Sequence, residues 1–596
     1  MSGAHSSDSE MMRADTDRSA VPALTRTEGG VPRRFADFHT LGEALDYAAT
    51  SACGLNFFDA RAQNPRVLSY AELASDAREG AQRLIAKGVQ PGDRIALIAE
   101  TSPEFVSAFF AAVYAGALPV PLPLPTSFGG REGYVEQIRN QLTSCDPSMA
   151  LAPSALTEFV SEAAAPLGGI ETLGWDAFAA LPTGKASMPK AKPDDIAYLQ
   201  YSSGSTRFPH GVEVTHSALL ANLNGHAVGV GLQPRDRVVS WLPFYHDMGL
   251  VGCLLSPVAN QTSADYLATE DFARRPLSWL TLISRHQGTA LSYSPTFGYE
   301  ICARRISSQS GVADKFDLSR WRVAGNGADM IRPSVMENFA RTFAPAGFDA
   351  KAFLPSYGLA EATLAVTMTR PGTGIETDLV DERRLAGEAP GDVHSGEPRT
   401  RRIVNCGYPL PGMRIEVRGA DDRVKPEGEI GRVIIAGPSI MLGYFRDEDA
   451  TQACLDGEWL DTGDMGYMKD GAIYIVGRAK DMIIINGKNH WPQDIEWAIE
   501  QLPGFKAGDI AAFAITTPQG EESPAVLVQC RTSDPDDRAK VREAIKAKVK
   551  AMTGMSCIVE LVPPRTLPRT SSGKLSRSKA RSLYLSGEIQ PLAVAA

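Results

Sequence analysis

Several short stretches of the chain gather residue types that handle phosphate and carboxylate groups. The most distinctive lies between Tyr198 and His216, where Ser202, Ser203, Gly204, Ser205, Thr206 and Arg207 separate two segments of alternating polar and apolar residues. Small hydroxyls around a glycine let backbone N–H and side-chain O–H groups converge on one anion without a bulky side chain intervening. No GxxxxGK[ST] pattern occurs, and alone the loop reads equally well as an ordinary Ser/Gly turn. His246-Asp247 lies in an apolar setting, a pair that more often satisfies itself than catalyses. Gly325-Asn326-Gly327 ends an apolar run in a turn where backbone can approach a flat ring. Ser356-Tyr357-Gly358-Leu359-Ala360-Glu361 sets an aromatic before a glycine and a carboxylate beyond it. Asp464 closes a tight turn, Arg478 and Lys480 form a basic turn after a strand-like run, and Lys574 stands in the glycine-bearing loop 568–574. Taken singly, each could be a surface turn or a solvated charge cluster.

These residues need a large scaffold. At 596 residues the chain exceeds one core, so two to four domains are expected. Apolar residues at 43% and charged residues at 22% describe an ordinary soluble globular composition. Sixty Lys and Arg against seventy Asp and Glu give −10, which offers no footprint for nucleic acid. Eight scattered cysteines without a C-x-x-C pair suggest neither a disulfide framework nor a zinc site, and fit a reducing cytoplasm. Residues 1–34 are polar, lack the apolar stretch of a secretory signal and read as a disordered tail. The most apolar run, 105–120, is too short for a transmembrane segment and ends in spaced prolines, so a buried helix followed by an extended segment is expected. Between about 90 and 360, apolar strands alternate with helical stretches, which argues for α/β layers with largely parallel sheets. Beyond Arg414 short glycine-punctuated strands suggest a β-rich subdomain. From about 478 a last α+β segment follows, with amphipathic helices near 492–502 and 536–552; Pro492 suits a helix's first turn.

In this order and spacing the motifs resemble those of the adenylate-forming superfamily, which includes acyl-CoA synthetases, luciferases and adenylation domains of peptide synthetases. The resemblance covers roughly residues 35–585. LQYSSGSTR, SWLPFYHDMGL and PSYGLAEATLAV look like the fatty acyl-AMP ligases, as does a long connection at about 369–402 where CoA-forming relatives are shorter. The resemblance implies an N-terminal domain over 35–477 that binds AMP and acyl group, and a small mobile domain over 478–590. It implies ATP and Mg²⁺ as cofactors, a medium- or long-chain fatty acid as substrate, and an acyl carrier protein's phosphopantetheine thiol as acceptor. The oligomeric state, chain length and carrier stay open.

Residue roles follow by the same resemblance. The loop from Ser202 grips the leaving phosphates, Gly325, Asn326 and Gly327 border adenine, and Tyr357 packs on it. Glu361 is the Mg²⁺ ligand, Asp464 accepts from the ribose hydroxyls, and Arg478 donates on the ribose–phosphate side. His246 gates the meeting point of nucleotide and acyl carboxylate, Lys574 bridges carboxylate and α-phosphate, and Lys480 is the hinge. Two departures stand out: Arg207 and His210 occupy positions where the loop usually carries glycine and lysine, and Ala360 replaces a hydroxyl residue of CoA-forming relatives. An acyl-CoA synthetase and a degenerate acyl-AMP-binding scaffold are the alternatives; the presence of Glu361, Asp464, Arg478 and Lys574 argues against the second.

Overall fold

The computed structural model describes residues 30–125, 130–201, 210–285, 288–307, 315–385, 400–485, 488–506, 508–516, 522–554, 556–570 and 574–594. The expected tail up to residue 29, the hydroxyl loop 202–209 and residues 386–399 of the long connection lie outside them. A nine-stranded sheet forms the centre. Its six inner strands, Phe353–Gly358, Trp321–Asn326, Thr289–Ser294, Asp236–Ser240, Ala264–Leu267 and Gly54–Phe58, are parallel neighbours in that order. Antiparallel strands close both edges, Ala365–Met368 and then Tyr408–Pro409 on one side and Arg66–Ser69 on the other. A second, four-stranded sheet is wholly parallel, with Arg94–Ile98 between Leu118–Leu122 and Met149–Ala152.

The apolar run forms the helix Pro103–Tyr114, capped by Ser102 and followed by the strand Leu118–Leu122. Its Phe105, Phe109 and Phe110 are fully buried, as a helix apolar on all faces must be. Ile196–Tyr201 and Gly211–Thr215 pair antiparallel, giving the hairpin that carries the hydroxyl loop. Alternating polar and apolar residues suit a half-buried strand, but residues 197–201 are all buried, because packed layers cover both faces. After Met248 the chain winds as a π-helix to Leu255 before the α-turn Ser256–Ala259. Such windings are rare and tend to mark functional sites.

Beyond Arg414 a five-stranded antiparallel sheet is built around Gly431–Ala436, Trp459–Lys469 and Ala472–Arg478. A 3₁₀ turn, Ala479–Asp481, leads from it into a three-stranded sheet, Ile510–Thr516, Glu522–Gln529 and Ile558–Val562, flanked by helices Pro492–Glu500, Pro535–Thr553 and Arg577–Leu585. The described part of the long connection is ordered: Thr377–Asp381 pairs with Thr400–Val404, and a helical turn runs from Glu382 to Leu385. Val380 and Leu385 are buried with Ile403, Tyr467, Tyr474, Val476 and Trp491. Leu379, next to Val380 and equally apolar, is 64% exposed, because strand alternation turns it away from the face that Val380 buries.

Candidate active site

The parallel strands of the central sheet aim their carboxyl ends at one cavity of about 1290 Å³. Crevices outside such strand ends are where ligands bind in open α/β sheets. Thr296 and Asp329 follow two of these strands, and Tyr357 to Glu361 occupy the end of a third and the 3₁₀ turn after it. Asp464 and Arg478 come from the neighbouring β-subdomain, where they face each other in strand register. Lys574 comes from the C-terminal segment, so three separate parts of the chain share one cavity.

Asp464 organises one end. Tyr357 Oη donates to its Oδ2 at 2.8 Å, and Arg478 Nε lies 3.2 Å from its Oδ1. Burial pushes the Asp464 carboxyl up, against the pull of Arg478 and Tyr357; Arg478 is held above its ordinary value chiefly by that carboxylate. Each carboxylate oxygen accepts more than one hydrogen bond, so these contacts leave capacity for ligand hydroxyls. Burial, then Asp464, also keep the Tyr357 phenol protonated.

Lys574 shares this cavity. Burial lowers the Lys574 ammonium, while Asp329 and Asp247 oppose that shift. Lys574 is fixed through its backbone, its N–H donating to Thr570 Oγ1 at 3.2 Å and its carbonyl accepting from Thr570 N–H at 2.7 Å. Asp329 accepts from Thr296 N–H at 3.0 Å and from Thr296 Oγ1 at 2.9 Å. Asp247 lies 2.6 Å from His246 Nδ1 and accepts from Met248 N–H at 2.6 Å. Burial works against its charge, yet His246, Met248 N–H and Lys574 together hold it below the usual carboxylate range. The pair is thus both self-satisfied and part of the cavity wall.

Glu361 faces the same space, its Oε1 accepting from Tyr444 Oη at 2.9 Å. Tyr444 in turn lies against His210, ring centroids 4.8 Å apart, and His210 Nδ1 is 2.9 Å from Asp447 Oδ2. His210 is therefore tied to Asp447, while Arg207 falls with Ser202 to Thr206 outside the described residues.

The structure separates the expected adenine border. Gly327, Ser356, Gly358, Leu359 and Ala360 line the cavity, but Gly325 and Asn326 are absorbed by the sheet. A Cβ on Gly325 would lie 2.1 Å from the Tyr293 ring, so glycine there makes room for a core tyrosine. Asn326 is 1% exposed and donates through Nδ2 to Ser294 O at 2.9 Å. Lys480 sits in the 3₁₀ turn between the β-subdomain and the C-terminal segment; burial, then Arg478, lower its ammonium. Sequence reasoning missed Asp329 and Tyr444. The first lies two residues past Gly327 in the same motif; the second follows a glycine and carried no other signal.

Comparison with known proteins places the chain in a family. The profile of the AMP-binding enzymes matches residues 48–445. A Caulobacter vibrioides protein provisionally named an acyl-CoA synthetase is 47% identical, over 95% of this chain and 98% of its own. The long-chain-fatty-acid–AMP ligase FadD32 of Mycolicibacterium smegmatis is 31% identical over 90% of this chain and 92% of its own. A structure from studies of fatty acyl-adenylate ligases from E. coli and L. pneumophila superimposes with a TM-score of 0.88 at 44% identity, covering 94% of this chain and 100% of that one. The chain belongs to the AMP-binding enzyme family and, within it, to the fatty acyl-AMP ligases.

Proposed function

We propose that the protein uses ATP to convert a medium- or long-chain fatty acid to its acyl adenylate, releasing pyrophosphate, and then delivers the acyl group to the phosphopantetheine thiol of an acyl carrier protein. The observation that carries this reading is Lys574 in the cavity among Asp247, Asp329 and Asp464, a C-terminal cation brought to the nucleotide end of the site. A fatty carboxylate is ionised at neutral pH, its ordinary pKa being about 4–5, so no general base is needed to make the nucleophile. One carboxylate oxygen attacks the α-phosphorus while the bond to pyrophosphate breaks; the rate depends on alignment and on stabilising crowded negative charge.

In this reading Asp464 holds the ribose hydroxyls, Arg478 donates between ribose and phosphate, and Tyr357 stacks on adenine. Lys574 bridges the attacking carboxylate and the α-phosphate, and His246 stands where the carboxylate enters. Ser202 to Arg207 would hold the leaving phosphates. Among the described residues no group of three or more side chains could cage a metal. Mg²⁺ bound through phosphate oxygens and water needs only one or two hard protein donors, and Glu361 fits as one. When bound, that ion neutralises triphosphate charge.

For the second step the C-terminal segment would turn about Lys480. The connection at 369–402 supports an acceptor other than free CoA, because Trp491 Nε1 donates to Leu385 O at 3.2 Å and Arg401 Nη1 lies 2.9 Å from Asp494. The 47%-identical relative keeps acyl-CoA synthesis as the second reading. Among the described residues no helix is long and apolar enough to cross a membrane, and a reducing cytoplasm suits eight free thiols. The deciding assay supplies purified protein with ATP, Mg²⁺ and fatty acids, then measures acyl-AMP and, with CoA or a carrier protein added, the thioester. Acyl-AMP and acyl-carrier without acyl-CoA is the expected result; acyl-CoA at the adenylation rate would favour the second reading.

A further inference from the structure

One ion cluster on the cavity wall joins the central-sheet body to the C-terminal segment. Arg332 stands just before the helix Pro333–Phe343, three residues past Asp329. Its Nη2 lies 2.6 Å from Glu300 Oε2, on the helix Thr296–Ser307. Its Nη1 lies 2.8 Å from Oε2 of Glu500, the last residue of the helix Pro492–Glu500. All three side chains line the cavity. At 17% and 14% exposure, Arg332 and Glu500 are not the solvated surface ion pair that contributes little.

Helix stability does not account for Glu500. A carboxylate in the last turn faces the negative end of the helix dipole, whereas Asp494 sits in the first turn, where such a charge belongs. Glu500 Oε1 accepts the Gly508 N–H at 3.3 Å, which leaves Oε2 for Arg332. Burial raises the Glu500 carboxyl; Arg332 and the Gly508 N–H oppose that rise, while Glu300 and Glu496 add to it. Two carboxylates thus share the planar fork of one guanidinium, and without it they would repel each other.

The same helix reaches the lysine loop. Glu496, one turn before Glu500 and on the same face, receives both Nε and Nη2 of Arg577 at 2.7 Å. Arg577 Nη1 lies 3.3 Å from Asp481, in the turn that holds Lys480, and Arg577 follows Lys574 by three residues. Charged contacts therefore run unbroken from Arg332 to the segment that carries Lys574 and to the turn beside it.

Resting on the proposed rotation about Lys480, we infer that Arg332 is a positioning residue for the first half-reaction. By bridging Glu300 to Glu500 it keeps the C-terminal segment docked, with Lys574 in the cavity. Wild type, Arg332→Gln, Glu500→Gln and the double variant, all full-length, are given ATP, Mg²⁺ and dodecanoic, tetradecanoic or hexadecanoic acid, whichever the wild type activates fastest. Arg332→Gln should lower kcat for pyrophosphate release by about ten- to a hundredfold, the range one charged hydrogen bond supplies, with KM for ATP and for the acid unchanged. Glu500→Gln should act in the same direction. Because Arg332→Gln leaves Glu300 facing Glu500, the double variant should be faster than Arg332→Gln. Transfer from the preformed acyl adenylate to the acceptor that the wild type loads, CoA or a carrier protein, should not be slowed. A wild-type kcat in Arg332→Gln, or single losses that simply add in the double variant, would overturn the inference and leave the activation standing. So would a raised KM at unchanged kcat, which marks a substrate contact, or equal slowing of the transfer step, which marks general damage. A wild type that activates no acid would overturn the activation itself. Should Arg332→Gln fail to fold, Glu500→Gln decides by the same rates.

Discussion

At the scale of single residues the site is a balance of burial against opposite charge. Lys574 is one ammonium lowered by burial, a shift that Asp329, Asp247 and Asp464 on other segments oppose. Lys574→Ala should leave the protein folded and ATP-binding but slow fatty-acid-dependent pyrophosphate release by about 10²–10³, the usual cost of one transition-state contact. A wild-type rate in that variant would remove Lys574 from the first half-reaction. Asp464 tests the nucleotide end. Asp464→Ala should weaken ATP binding more than fatty-acid binding, by about 1.5–3 kcal/mol per lost charged hydrogen bond. Because Tyr357 and Arg478 also lose their shared partner, calorimetry on Tyr357→Phe separates that loss from the loss of ribose contacts. Unchanged ATP affinity in Asp464→Ala would contradict the assignment.

At the scale of elements, the connection at 369–402 has most to decide. Its strand Thr377–Asp381 and turn Glu382–Leu385 bury Val380 and Leu385 against Tyr467, Tyr474 and Trp491, and its return strand carries Arg401 to Asp494. It therefore touches both the β-subdomain and the C-terminal segment. A few kcal/mol of such differential contact is enough to depopulate one of two domain arrangements. Replacing the stretch between Thr373 and Thr400 by a few glycines should preserve acyl-AMP formation and let some acyl-CoA appear, measured by separating the two products. A shortened variant that adenylates but makes no acyl-CoA would show that the thiol route is closed elsewhere. Trp491 sets the expected cost: freed from Leu385, its indole N–H loses a partner and Val380's neighbours gain solvent, so the variant should also melt lower.

At the scale of the molecule, folding pulls two histidines out of water. His216 accepts the Leu41 N–H through Nδ1 at 3.2 Å, and His226 meets Ser256; burial pushes both imidazoles down from 6.5 to about 4. A depressed value in the folded state means that the unfolded chain takes up protons first as pH falls. The stability these neutral rings contribute is thus complete above about 6.5 and is lost as pH drops toward 4, by about 3 kcal/mol per ring at most. Denaturant melts at pH 7 and pH 5 check this: His226→Asn should flatten the difference, and an unchanged pH dependence in both His226→Asn and His216→Asn would refute it.

The sequence by itself determined the layered α/β class, the order of the motifs and the residue types of the site. Periodicity, glycine-bearing turns and isolated charges are local properties, so the helix Pro103–Tyr114, the hairpin at Ile196–Thr215 and the carboxylates Glu361 and Asp464 were legible. Only the tertiary structure decided which of these meet. Gly325 and Asn326 looked like site residues because a glycine-rich turn has the same composition whether it faces a ligand or a core tyrosine. Asp329 had only its place two residues past Gly327, and Tyr444 only its preceding glycine, since their surroundings come from segments tens to hundreds of residues away. Leu379 and Val380 are adjacent and both apolar, yet one is exposed and the other buried, because the sheet's pleat, with the neighbours packed on one face, assigns each side chain its solvent.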